Sequence, residues 1–384
     1  MRKILQVHNY YDISGGEDSV VEAESGLLSV KNTIIPIYES NESIKGVRQK
    51  IKTAVGIAKS NGSKERLSKA IKKNKVDVVH VHNFFPKLTA SVFDATYEAN
   101  VASVFTLHNY RTICPTALLM HNGKPCERSI KEKAYWAVPH RVYRNSFFGT
   151  TALAYMIEYH KRKKTWKTKV DRFICLTEFS KAKFIQAGFP ASKIVVKPNF
   201  TKDPGGETMI PRKRRAVFVG RLSEEKGIEV LINAWNKINF PLDIIGEGEV
   251  IGVDNNAVCL LGRKHKEFVI DAVKSVEFII VPSICYEGFP MAIVEAFACG
   301  TPVLCSRLGS MEEIVEDGVT GLHFEAGNSQ DLQEKAQWLI DNPEQTREMG
   351  RNARNEYLAK YTPEKNYEML MDIYQQAIDE AKKH

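Results

Sequence analysis

Short apolar runs recur along the chain, and between them apolar positions fall at helical spacing. In the first half the runs are ILQV (4–7), TIIPIY (33–38), VDVVHVH (76–82), ASVFTLH (102–108), RFICLT (172–177) and IVVKP (194–198). Helical spacing holds over 17–30, 63–75, 88–99 and 179–187. Near-continuous apolar strands alternating with helices predict a parallel sheet covered on both faces. The pattern then restarts. RAVFVG (215–220), LDIIG (242–246), AVCLLG (257–262), FIIVP (278–282), PVLC (302–305) and GLHF (321–324) read as strands. Helices are expected near 225–238, 265–276, 290–299 and 329–341, and the stretch from Pro363 to His384 reads as an amphipathic helix.

The break between the two series is 199–214, NFTKDPGGETMIPRKR, with two prolines, two glycines and no period. The expected organisation is therefore an α/β domain over 1–198, a linker over 199–214, a second α/β domain over 215–362 and a C-terminal helix over 363–384. A chain of 384 residues is long enough for two such cores. Doubly wound sheets bind ligands beyond the carboxyl ends of their strands. Two such domains facing one another would place a shared site in a central cleft.

Composition narrows the partners. No apolar run approaches the roughly 20 residues of a membrane span, and the apolar stretch in MRKILQVHNYY is too short for a signal-peptide core. Seven cysteines, an odd number with no C-x-x-C, argue against a disulfide framework or zinc ribbon and for a reducing cytoplasm. The net charge of +8 is unevenly placed. Lys45 to Lys75 holds eleven Lys/Arg and one acid, and Arg128 to Arg172 holds twelve against three. The second segment interleaves Tyr135, Trp136, Tyr143, Phe147, Phe148, Tyr155, Tyr159 and Trp166. Cations beside aromatics suit an anionic membrane surface, at about 1 kcal/mol per cation near the headgroups. Nucleic acid is the rival partner and the less expected one; a solvated helix face is the plain alternative. The location expected is the cytoplasm, with peripheral attachment to the inner face of the membrane.

Several residues could carry chemistry. In VGRLSEEKG, Arg221 follows a strand and Lys226 lies five residues on, between Gly220 and Gly227. Two cations at a strand end form an anion site, although an exposed turn would look the same. In CYEGFPMAIVEAFACG, Glu287 precedes Gly288-Phe289-Pro290, with Pro290 suited to the first helical position. Glu295 lies two turns on among apolar neighbours, and a buried carboxylate needs a partner. The backbone N–H groups of Gly288, Phe289, Pro290's neighbour Met291 and the turn they open favour a phosphate or sugar oxygen. Glu287 is equally explained as an acid complementing the helix dipole. Ser14-Gly15-Gly16-Glu17 allows close backbone approach after the first strand. His108 and Asn109 end one strand, and His80, His82 and Asn83 end another; a structural histidine suits His108 as well as a ligand contact does. A metal held by His80, His82 and His108 is conceivable but lacks supporting acids, so no metal or other cofactor is expected. No D-x-D, G-x-G-x-x-G, P-loop or G-x-S-x-G is present.

The order strand-GGxE, strand-THN-like, GRLSEEKG, EGFPMAIVE, ACGTPV and G-x-T-G-L resembles glycosyltransferase family 4 across nearly the whole chain. The resemblance implies the GT-B architecture, two Rossmann-like domains with a nucleotide-sugar donor between them. It implies a retaining, metal-independent hexosyltransferase. Arg221 and Lys226 would hold the UDP or GDP diphosphate, Glu287 the donor-sugar hydroxyls and Glu295 the ribose. Gly16 would approach the phosphate or acceptor, His108 the donor sugar and Arg263 the nucleobase. The stretch LHNYRTICPTALLMHNGKPCE resembles members that build bacterial surface polysaccharides on glycan or lipid-linked acceptors. Two other readings stand beside it: a nucleotide-sugar epimerase of similar fold, and a non-enzymatic basic module for membrane or nucleic acid.

Overall fold

The computed structural model describes residues 1–11, 15–41, 46, 49, 53–205 and 212–383. Ser14, the cations Lys45, Arg48, Lys50 and Lys52, and linker positions 206–211 lie outside the described residues. The chain forms two compact units. One comprises Met1–His121, Cys126–Pro198 and Asn366–His384; the other comprises Asn122–Pro125 and Asn199–Lys365.

The first unit is built on six parallel strands: β1 (Lys3–Tyr10), β2 (Thr33–Ser40), β3 (Val78–Val81), β4 (Ala102–Thr106), β5 (Arg172–Cys175) and β6 (Ile194–Val196). Their order is β2-β1-β3-β4-β5-β6. Val7 lies opposite Ile37 on one side and Val81 on the other. Ile4, Leu5, Val7, Val78, Val79 and Val104 are wholly buried, as a sheet covered on both faces requires. The covering helices are α1 (Gly16–Ser29), α2 (Asn61–Asn74), α3 (Ser91–Glu98), α4 (Phe147–Arg162) and α5 (Glu178–Gln186). Ser60, Ser146 and Thr177 cap α2, α4 and α5 by accepting from the N–H groups of Ser63, Gly149 and Ser180. Each such cap is worth about 1 kcal/mol.

The second unit repeats the plan with β7 (Lys213–Val219), β8 (Leu242–Ile245), β9 (Val258–Gly262), β10 (Val276–Val281), β11 (Val303–Ser306) and β12 (Gly321–Phe324). Their order is β9-β8-β7-β10-β11-β12, all parallel. Helices α6 (Ile228–Trp235), α7 (Lys266–Ser275), α8 (Met291–Ala298), α9 (Ser329–Asp341) and α10 (Pro343–Lys360) belong to it. Trp235, Phe278, Ile280, Leu332 and Leu339 share one core, where the Phe240 and Phe278 rings stack at 6.0 Å. Fully burying side chains of this size contributes about 1.5–3 kcal/mol each.

The last helix, α11 (Pro363–Ala381), follows the second unit in sequence, yet Asn366 onward belongs to the first. Leu370, Ile373, Tyr374 and Ala377 are buried along it. Asn366 donates to the Pro198 carbonyl at 2.9 Å, and its Oδ1 accepts from Lys197 Nζ at 3.1 Å. No helix among the described residues is long and apolar enough to cross a membrane.

Three sequence expectations are adjusted. The helix expected over 225–238 opens as a 3-10 turn, Glu224–Lys226, and α6 begins only after Gly227 at φ +70°. A Cβ on Gly227 would stand 1.9 Å from the Pro282 carbonyl oxygen, so glycine here lets two loops touch. Both ends of the expected linker are anchored structure. β7 starts at Lys213, and Arg212 donates to the carbonyl of Val276 at 2.8 Å and to Thr301 Oγ1 at 3.0 Å. Pro290 caps α8 rather than opening it, and Met291 is the first helical residue.

Candidate functional site

In each sheet the strand order reverses once, between β1 and β3 and between β7 and β10. At such a reversal, neighbouring strands send their loops apart and leave a crevice at their carboxyl ends. Gly16 follows β1 at the first of these places, and Arg221, Lys226 and Glu287 follow β7 and β10 at the second.

In the second unit, Arg221 and Lys226 follow β7, and Ser283 and Glu287 follow β10. The two loops are tied by the Ile284 N–H donating to the Glu225 carbonyl at 3.0 Å. Lys226 Nζ lies 2.6 Å from Glu287 Oε1, and Ser283 Oγ donates to the same oxygen at 2.6 Å. Burial works against charge on Glu287. Lys226, Ser283 and Arg221 together outweigh it and hold the carboxyl below its usual range. Burial likewise opposes charge on Lys226, and Glu287 overcomes it, raising the ammonium above its usual value. The pair therefore stays ionised at neutral pH. Arg221 pairs with Glu225 at 3.0 Å but keeps 59% of its side chain exposed, so its guanidinium is open to a ligand. Ser310 Oγ donates to the carbonyls of Glu287 and Gly288 at 2.9 and 3.3 Å. That fixes the loop leading through Phe289 and Pro290 to Met291 at the N-terminus of α8, where free N–H groups favour anionic oxygen.

Glu295 and Arg263 sit apart from this cluster. Glu295 lies in the second turn of α8, and its partner is Lys266 at 3.7 Å. Burial raises its carboxyl above the usual range, with Lys266 opposing. Arg263, after β9, is exposed and faces Glu247 at 3.5 Å. Ser283, Ser310 and Lys266 were not singled out by the sequence. They act through partners 4, 23 and 29 positions away in the chain, which no local pattern marks.

In the first unit, His108 follows β4 and stacks on His82, with His82 Nδ1 and His108 Nε2 3.0 Å apart. Burial holds both rings neutral, His82 pushed down to about 3 and His108 well below its ordinary value. Gly16 opens α1 with Gly15 as its cap, and the Gly15 N–H donates to Asp18 Oδ2 at 3.1 Å. Asp18 is itself held by His8 Nε2 at 2.8 Å. Asn109 donates to Glu17 Oε2 at 3.2 Å. Burial, then Asp18, pushes the Glu17 carboxyl up to about 8. The Arg111 guanidinium lies 4.7 Å from the Phe85 ring centre. Its Nε and Nη1 are buried without a hydrogen-bond partner among the described residues. His82, His108, Asn109 and Arg111 border one small cavity of about 20 Å³.

The acid missing from the histidine cluster in sequence comes from α1. Glu24 Oε1 lies 3.1 Å from His80 Nδ1 and 3.2 Å from His82 Nε2, a spacing a metal ion could bridge. Each group already has protein partners, however. Lys197 Nζ is 3.4 Å from Glu24 Oε2, and His80 meets Tyr374 Oη and Thr106 Oγ1, both at 2.8 Å. Burial opposes charge on Glu24, but Lys197, His80 and His82 hold it well below its usual range. The arrangement has the character of a neutralised buried polar network.

Comparison with known proteins agrees with this layout. Residues 201–356 match the family model of glycosyl transferases group 1, and residues 39–202 match that of glycosyltransferase family 4. An uncharacterised glycosyltransferase of Methanocaldococcus jannaschii is 36% identical over 171 residues, 42% of this chain and 48% of that protein. A lipopolysaccharide 1,2-N-acetylglucosaminetransferase of Salmonella typhimurium is 26% identical over 198 residues, 42% of this chain and 50% of that protein. The chain thus spans half or less of the length of these curated relatives. An Anabaena protein crystallised with UDP and glucose superposes with a TM-score of 0.68 at 17% identity, covering 97% of this chain and 99% of that one. With two Rossmann-like sheets and family matches that run almost end to end from residue 39 to residue 356, the chain belongs to glycosyltransferase family 4, of GT-B fold.

Proposed function

We propose that the chain transfers a hexose from a nucleotide-sugar, UDP- or GDP-linked, to an acceptor hydroxyl with retention of anomeric configuration. The observation that carries this reading is the Lys226–Glu287 pair at the β7/β10 crevice, with Arg221 open beside it and the α8 N-terminus behind it. Glu287 keeps Lys226 cationic despite burial, so the ammonium is available for a diphosphate. As the C1–O bond of the donor loosens, negative charge builds on the departing diphosphate. Arg221 and Lys226 stabilise that charge more in the transition state than in the ground state. These two cations supply the electrostatic work without calling on a metal. Glu287 accepts from donor-sugar hydroxyls, with N–H groups near Gly288, Phe289 and Met291 alongside. Glu295 accepts from the ribose hydroxyls, and the backbone at Arg263 meets the base. In the first unit, the turn at Gly16 allows close backbone approach to a ligand, and the neutral His108 ring can hydrogen-bond a sugar hydroxyl without adding charge. The acceptor attacks on the face the diphosphate leaves, and a diphosphate oxygen takes its proton. The UDP and glucose held by the Anabaena protein support the donor class.

The acceptor we propose is a lipid-linked glycan of a bacterial surface polysaccharide, used at the cytoplasmic face of the membrane. The name of the Salmonella relative and the basic, aromatic segment 128–172 support that reading. A thermal-shift panel of nucleotide-sugars should raise the melting temperature for one donor. NMR of the product should show the donor's anomeric configuration kept. Lys226→Ala and Glu287→Gln should each lower kcat by about 10²–10³-fold. Full turnover in both variants, or conversion of the nucleotide-sugar without any acceptor, would overturn the proposal.

A further inference from the structure

A second cavity, of about 230 Å³, opens in the first unit and shares Thr112 with the first cavity. Its floor is largely apolar, with Ile113, Ile157, Trp166 and Phe189, each itself packed into the unit, beside the buried Ser129 and His160. Its rim carries Lys161, Lys164 and Lys167. Local backbone sets this spacing. α4 ends at Arg162, Lys164 adopts a left-handed conformation at φ +53°, and the chain turns into a short helix, Thr165–Thr168. The three ammonium groups are thereby gathered on one opening. None has a carboxylate partner among the described residues, whereas nearby Lys169 is paired with Asp94. Thr112 also borders the cavity, and its hydroxyl is buried without a hydrogen-bond partner among the described residues.

We infer that this pocket takes an anionic membrane lipid, its phosphate on the three lysines and the start of its chain against the apolar floor. A volume of about 230 Å³ leaves room for a phosphate and a short length of chain. Charge alone would admit free phosphate; the apolar floor selects a lipid. Along α4, Phe148 is 80% exposed, and Phe147 and Tyr155 are 49% and 43% exposed. Large rings left uncovered elsewhere on the helix that carries Lys161 are residues that enter the headgroup region of a bilayer. The inference deepens the proposed use of a lipid-linked acceptor and rests on it only for its role. Lipid binding is measured without donor, so its failure is separate from a failure of sugar transfer.

The test uses the full chain and vesicles of phosphatidylcholine with and without phosphatidylglycerol. Sedimentation should show binding to the mixed vesicles only. Replacing the rim by Lys161→Gln, Lys164→Gln and Lys167→Gln together should weaken it at least about tenfold. Lys181→Gln, at a half-buried lysine paired with Glu178, should leave it unchanged. Soluble dihexanoyl phosphatidylglycerol should change the Trp166 fluorescence, assigned by Trp166→Phe, and inorganic phosphate should not displace it. Equal binding to neutral vesicles, an unaffected triple variant with an unaltered melting temperature, or full displacement by inorganic phosphate would each overturn the inference.

Discussion

Glu17 and Glu287 both sit at the carboxyl ends of parallel strands, and their neighbours drive them in opposite directions. Glu287 has a lysine at 2.6 Å and stays charged, whereas Glu17 has burial and Asp18 against it and is pushed up to about 8. The folded first unit therefore holds a proton on Glu17 that the unfolded chain, with an ordinary value of 4.5, releases. Stability from this group is complete below that ordinary value, declines as pH rises, and is gone once pH passes the folded value. Glu17→Gln should flatten this decline between pH 5 and about 8, read as urea midpoints across that range. Arg221, Lys226 and Glu287 were legible in the sequence because each stands in a loop that follows an apolar strand. Glu17 was visible only as part of a glycine turn, since its environment is made by Asn109 and Arg111, more than ninety positions away.

Among elements, the two sheets were the most readable part of the chain. Their inner strands are buried on both faces, so a run such as VDVVHVH announces itself without help from its neighbours. α4 was missed for the opposite reason. Thr150, Leu153, Ala154 and Ile157 face inward, but Phe148 and Tyr155 face out, and the outward rings blur the helical period. α10 is rich in Arg, Asn and Glu and buries little beyond Met349, Ala353 and Tyr357. Loop contacts were equally hidden. Gly227 reads as an ordinary turn residue until Pro282 is seen against it. Gly227→Ala should destabilise the second unit by about 2 kcal/mol or more, combining the cost of φ +70° with a clash against backbone. The same change should push Lys226 away from Glu287 and lower turnover, measured beside the urea midpoint.

At the scale of the whole molecule, order in sequence and order in space diverge at α11. Leu370 is fully buried in the first unit, so Leu370→Ala should destabilise that unit by about 2–5 kcal/mol. Calorimetry should then resolve an earlier transition for the first unit, with the second unit melting unchanged. The buried Lys197 depends on the same helix, because one of its two polar partners is Asn366. Asn366 is 168 positions beyond Pro198, whose carbonyl it caps. A ribosome working at roughly 5–20 residues per second needs about 10–30 s to cover that distance. Throughout that interval the nascent first unit carries a cation without its amide and an uncovered groove where Tyr374 will settle. Such a half-finished sheet is a natural client for chaperones, and translation itself sets the clock for its completion.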